Sequence, residues 1–154
     1  MRSIKFLFLL LTSFFFISTA CAEDNTNSKG DKMKIKIQIT SNSGAHTLNA
    51  TLCDNSSGVA FYEFLKKGAL TIKMKEYGNF EKIGSLGTTL PTNDTYITAN
   101  VGDILLYQGN QISLFYNTNS WSYTQLGKID GPTQNELKSI LDKNDITAVF
   151  EIIN

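Results

Sequence analysis

The chain reads as a mainly β domain in which short antiparallel strands close into a barrel, with two short helices between them. Three observations predict this. Apolar and polar residues alternate with period two in many short segments, only two segments carry helix signals, and strong strands stand at both ends of the folded part. Terminal strands left as open edges offer unpaired backbone groups to other chains; pairing them with each other removes both edges.

Taken in order, residues 33–39 alternate without a fault, with Met33, Ile35, Ile37 and Ile39 on the buried side. Ser41, Asn42, Ser43 and Gly44 carry turn chemistry, and Leu48, Ala50 and Leu52 resume the alternation, which makes a hairpin. Asp54 to Ser57 can cap a helix running through Phe61, Phe64 and Leu65, and Gly68 suits its C-terminal side. Leu70, Ile72 and Met74 mark the next strand, which Tyr77-Gly78-Asn79 breaks. The Gly-punctuated stretch 80–90 is expected to bend rather than form a strand. A short strand covers 95–99. Segments 104–107 and 112–116 form a hairpin across Gln108-Gly109-Asn110-Gln111, and 125–129 add a further strand. Thr133 and Glu136 form a capping box that starts a helix through Leu137, Ile140 and Leu141, and 145–153 end the chain as a strand. The strands at 33–39 and 146–152 are expected to pair, with Ile35, Ile37, Ala148 and Phe150 inside.

The first residues give an address. Arg2 and Lys5 precede an apolar run from Phe6 to Ile17, too short to span a bilayer and followed by small residues. Residues 1–20 therefore read as a secretory signal peptide. Ser18-Thr19-Ala20-Cys21 resembles a bacterial lipobox, which makes Cys21 a lipidation site and the first mature residue. Cleavage after Ala22, giving a soluble periplasmic or secreted domain, is the alternative. Residues 21–32 are polar and read as a flexible tether, leaving 33–154 as one domain. If Cys21 carries lipid or leaves with the signal, the domain must rely on its apolar core rather than on a disulfide. Cys53 reads as a small buried residue at a strand end.

Composition excludes more chemistry than it proposes. Fourteen basic and fourteen acidic residues balance, with no charge run to suggest nucleic acid. One histidine, His46, placed in a turn, cannot build a metal centre with the cysteines, and no nucleophile–base arrangement stands out. Neither a cofactor nor a metal is expected, and no residue is assigned a catalytic role.

The succession Leu52-Cys53-Asp54-Asn55, Gly78-Asn79-Phe80-Glu81-Lys82, Val101-Gly102-Asp103-Ile104, Leu114-Phe115-Tyr116 and Gln125-Leu126-Gly127-Lys128-Ile129 resembles the small bacterial cyclophilin-like domains. The resemblance covers essentially the whole of 33–154. It implies an eight-stranded closed antiparallel barrel with two short helices capping its ends, and a ligand groove on the outer wall. Tyr107, Gln108, Phe115, Tyr116 and Trp121 are the residues able to build such a groove, with Glu81 and Lys82 supplying charge beside it. A peptide or small molecule is the expected ligand, and the lipid anchor the only membrane contact. The resemblance also raises peptidyl-prolyl isomerase activity as the alternative. Cyclophilins polarise the amide with an arginine, whereas Arg2 is the only arginine of this chain and lies in the signal peptide. A binding module without catalysis is the reading the residues favour.

Overall fold

The computed structural model describes residues 32–42, 44–141 and 144–153. The residues expected to form the signal peptide, the Cys21 lipidation site and nearly all of the tether lie outside the described residues. The first hairpin joins β1 (Lys34–Ser41) to β2 (Gly44–Leu52), with Ile37 opposite Leu48 and Ile39 opposite His46. His46 thus lies in a strand and not in the turn expected of it. Cys53 follows β2, buried and disulfide-bonded, in contrast to the expectation of a domain held by its core alone. Helix α1 (Ser56–Leu65) begins where Asn55 Oδ1 accepts the Gly58 N–H at 2.8 Å, satisfying one of the first-turn donors.

The stretch expected to bend holds a strand. Strands β3 (Leu70–Tyr77) and β4 (Glu81–Ser85) make a tight hairpin in which Tyr77 pairs with Glu81. Gly78 and Asn79 take φ of +63° and +58°, and Phe80 N–H bonds back to Tyr77 O at 3.3 Å. Two left-handed central residues make a turn of the I′ kind, whose twist matches the strands that it joins. Further along β4, a Cβ on Gly84 would lie 2.5 Å from Ile72 Cγ2 and 2.8 Å from Lys73 O. Glycine there lets β4 lie close against β3.

The chain continues through β5 (Thr95–Ala99), β6 (Asp103–Tyr107), β7 (Gln111–Phe115) and β8 (Asn119–Ile129). Gln108 and Gly109, at φ +51° and +74°, repeat the left-handed turn between β6 and β7. Strand β8 is longer than expected, because its first half pairs with β5 before its second half joins β6 and β2. Helix α2 (Gln134–Leu141) opens on the expected capping box: Thr133 N–H and Oγ1–H bond Glu136 Oε2 at 2.8 and 2.7 Å. These bonds hold the Glu136 carboxyl below the usual carboxylate range. Strand β9 (Ile146–Ile152) lies antiparallel to β1, placing Ile37 opposite Phe150 and Ile39 opposite Ala148.

Nine antiparallel strands therefore form the sheet, in the order β2-β1-β9-β3-β4-β7-β6-β8-β5. The additional β2–β8 pairing makes the bonding ring-like, with β5 attached outside the ring. Nine strands appear where eight were expected, the extra one being β4 in the stretch expected to bend; the terminal strands pair as expected.

Two apolar clusters result. The larger fills the ring with Ile35, Ile37, Ile104, Leu106, Leu114 and Phe150, and α1 and α2 add Phe61, Leu65, Leu137 and Leu141. Each such side chain contributes about 1.5–3 kcal/mol by leaving water. The smaller gathers Ala99, Leu105, Phe115 and Tyr123, with Phe80, Ile97 and Tyr107 against them. Alternation along β4 and β7 separates the two: Leu114 faces the ring and Phe115 faces out.

Candidate functional site

The smaller cluster is the floor of a groove of about 740 Å³ on the outside of the sheet. Tyr77, Gly78 and Phe80 line it from the β3–β4 tip, and Glu81 and Ile83 from β4. Tyr107 and Gln111 line it from the β6–β7 hairpin, and Asn119, Trp121 and Tyr123 from β8. The aromatics brace one another. Phe80 stacks on Phe115 at 5.8 Å, Tyr123 meets Phe115 edge-on at 5.5 Å, and Tyr107 meets Tyr123 edge-on at 6.3 Å. Pairs in these geometries add about 0.5–1.5 kcal/mol each beyond their burial. Above this floor Trp121 and Tyr77 stand in solvent, 54% and 61% exposed.

Glu81 is the charged group of the groove. It is 3% exposed, and its Oε2 has no hydrogen-bond partner. Burial pushes its carboxyl up to about 7, and Glu76 adds to the rise. The Ser113 hydroxyl opposes the shift, although Ser113 Oγ and Glu81 Oε2 both lie outside hydrogen-bonding geometry with any partner. Burial likewise pushes the Tyr123 phenol up, while Asn119 donates to its oxygen at 2.9 Å.

The profile of the Cyclophilin-like family matches residues 41–151 of this chain. The chain belongs to the cyclophilin-like family. Its fold is also similar to the solution structure of a hypothetical protein from Archaeoglobus fulgidus, at a TM-score of 0.58 and 14% identity. That alignment covers 83% of this chain and 100% of the archaeal one, and at such identity it shows the fold alone. No curated protein matches the chain.

Within this cyclophilin-like domain, the residues singled out by sequence separate into four places. Tyr107, Trp121 and Glu81 line the groove. Phe115 lies beneath it, fully buried under Phe80 and Tyr123. Gln108 sits exposed on the β6–β7 turn, donating to Tyr107 Oη at 3.1 Å without itself lining the groove. Tyr116 and Lys82 face the ring instead. Tyr116 Oη–H bonds Glu76 Oε1 at 2.6 Å, and the buried Lys82 donates to Glu76 Oε2 and to Asn144 O, each at 2.7 Å. A one-residue step explains the split, because Lys82 follows groove-side Glu81 in β4 and Tyr116 follows Phe115, the last residue of β7. Phe80, Ile83, Gln111 and Asn119 were not among the residues singled out. The Gly78-Asn79 pair was the signal for Phe80 and Ile83, since a hairpin turn there fixes β4 and the face that Ile83 shares with Glu81.

Proposed function

We propose that this domain is a non-catalytic binding module whose ring closes as a barrel and whose outer groove takes a peptide or small molecule. The observation that carries this reading is the coincidence of solvent-facing Trp121, aromatic walls and a buried carboxyl with one unsatisfied oxygen in one groove. Binding sites keep a few polar groups among apolar walls, whereas a surface loop merely packed on a core has no use for an unpaired Glu81. Prolyl isomerisation is the competing reading. It must weaken an amide whose rotation barrier is about 18–20 kcal/mol, and the domain carries no arginine to do so.

The domain is exported and held at a bacterial cell envelope by lipid on Cys21, or else released after cleavage at Ala22. The signal-like residues 1–20 and the Ser18–Cys21 motif support this address. Acylation of the Cys21 thiol and a disulfide through it exclude each other. Labelling with a palmitate analogue, native chain against Cys21→Ala, should mark only the native chain; no label in either favours the soluble form.

A proline-isomerisation assay tests the function. The expected result is a rate at background; catalysis well above background, abolished in Trp121→Ala, would replace the binding reading with the enzymatic one. Protein purified from its own host and crystallised should in turn show ligand density against Trp121 and Tyr107.

A further inference from the structure

Glu81 poses a chemical question that the groove alone does not answer. A buried carboxyl with an oxygen that accepts nothing is costly to keep, and costlier still once ionised. Ser113 Oγ, facing the same side, is also unsatisfied. Resting on the groove reading above, we infer that the occupant is a protonated primary amine on an apolar stem, with Glu81 as its counter-charge.

Three features of the groove select this class. Among its described lining residues there is no Lys, Arg or His, so an anionic ligand would meet one carboxyl and no cation. The nearest lysine in sequence, Lys82, points to the other face and is engaged by Glu76 and Asn144. Five aromatic rings, Tyr77, Phe80, Tyr107, Trp121 and Tyr123, line much of the rest, and their negative faces attract a cation while their area buries its stem. The orphaned Oε2 then decides between kinds of cation. It needs an N–H donor, which a primary ammonium provides and a quaternary ammonium lacks.

The groups facing Glu81 set the pH behaviour. Tyr77, Tyr107 and Tyr123 line the groove with it, burial holds the Tyr123 phenol above its ordinary value, Ser113 is uncharged, and Glu76 repels it from β3. An ammonium binds the ionised carboxylate. With Glu81 titrating at about 7, the ionised fraction rises from about one-tenth at pH 6 to about nine-tenths at pH 8. Amine affinity should therefore rise about tenfold across that interval.

Trp121, the chain's one tryptophan, lies in the groove and reports occupancy by its fluorescence. The full domain is titrated with 2-phenylethylamine, 2-phenylethanol and 3-phenylpropionate at about pH 6 and about pH 8. The amine should bind best, about tenfold more tightly at the higher pH. Glu81→Gln, its fold verified by thermal melting, should lose that pH dependence and bind the amine at least about tenfold more weakly at pH 8. Equal binding of amine and alcohol overturns the amine while leaving the groove reading intact. Binding that strengthens toward pH 6 also overturns it, because Glu81 would then act as a proton donor to a neutral ligand. No fluorescence response to any of the three compounds overturns both readings. Should Glu81→Gln fail to fold, the wild-type contrast between amine and alcohol across the same pH range decides.

Discussion

Glu81 and Lys82 are neighbours in sequence and opposites in circumstance. Both are buried in β4, yet Lys82 faces the ring and Glu81 faces the groove. Lys82 has Glu76 Oε2 and Asn144 O at 2.7 Å, and Glu76 is completed by Tyr116 Oη–H and by Asn79 N–H at 2.9 Å. Every charge in that network has a partner, so it ties the β3–β4 hairpin to the segment before β9. Glu81 Oε2 has none. A satisfied buried charge is part of the scaffold; an unsatisfied acceptor is a point where an incoming donor can bond. The same division holds for the apolar clusters, one sealed inside the ring and the other only partly roofed by Trp121 and Tyr77.

The comparison breaks most completely if the ring can be opened without loss. Removing residues 145–154 deletes β9, which pairs with both β1 and β3, takes Phe150 out of the core and uncovers Ile37 and Phe61, which lie against it. The truncated chain should give no cooperative melt. On the groove side, Phe115→Ala removes a fully buried ring on which Phe80 and Tyr123 rest. Denaturant titration should show a loss of about 3–5 kcal/mol.

A smaller effect sharpens the contrast and has the opposite sign. The Glu81 carboxyl rises from 4.5 to about 7 on folding, so the folded chain holds its proton more tightly than the unfolded one. Its contribution is intact below about pH 4.5 and is lost as pH climbs through about 7. Glu81→Gln should accordingly melt higher than wild type at pH 8, by on the order of 2 kcal/mol after screening by the open groove, with the advantage shrinking toward pH 4.5. Smallest of all, Trp121→Ala should change stability by no more than about 0.5 kcal/mol, because over half of the side chain is already in water. A loss equal to that of Phe115→Ala would make Trp121 part of the core.

Much of this fold was legible in the sequence. Period-two alternation placed β1 and β9, and pairing them followed from the cost of open edges. The Thr133–Glu136 capping box opened α2 as read. What escaped depended on backbone conformation. Gly78-Asn79 looks like a breaker until both residues are allowed left-handed φ, whereupon it becomes a hairpin turn and the stretch beyond it a strand. The start of β8 escaped for another reason: Asn119, Ser120 and Ser122 are poor strand formers, and pairing with β5 overrides their preference. Site residues followed the same rule. Tyr107, Trp121 and Glu81 reach the groove, while Lys82 and Tyr116 are turned from it by a one-residue step in register that composition does not reveal.

The division between the two faces of β4 rests on Glu81 being a buried carboxyl whose Oε2 has no hydrogen-bond partner, and carboxyl ¹³C NMR reads that group directly. Following the Glu81 resonance through a pH titration, assigned by its absence in Glu81→Gln, should give a midpoint of about 7. A midpoint near 4.5, the ordinary value for a glutamate in water, would contradict the account.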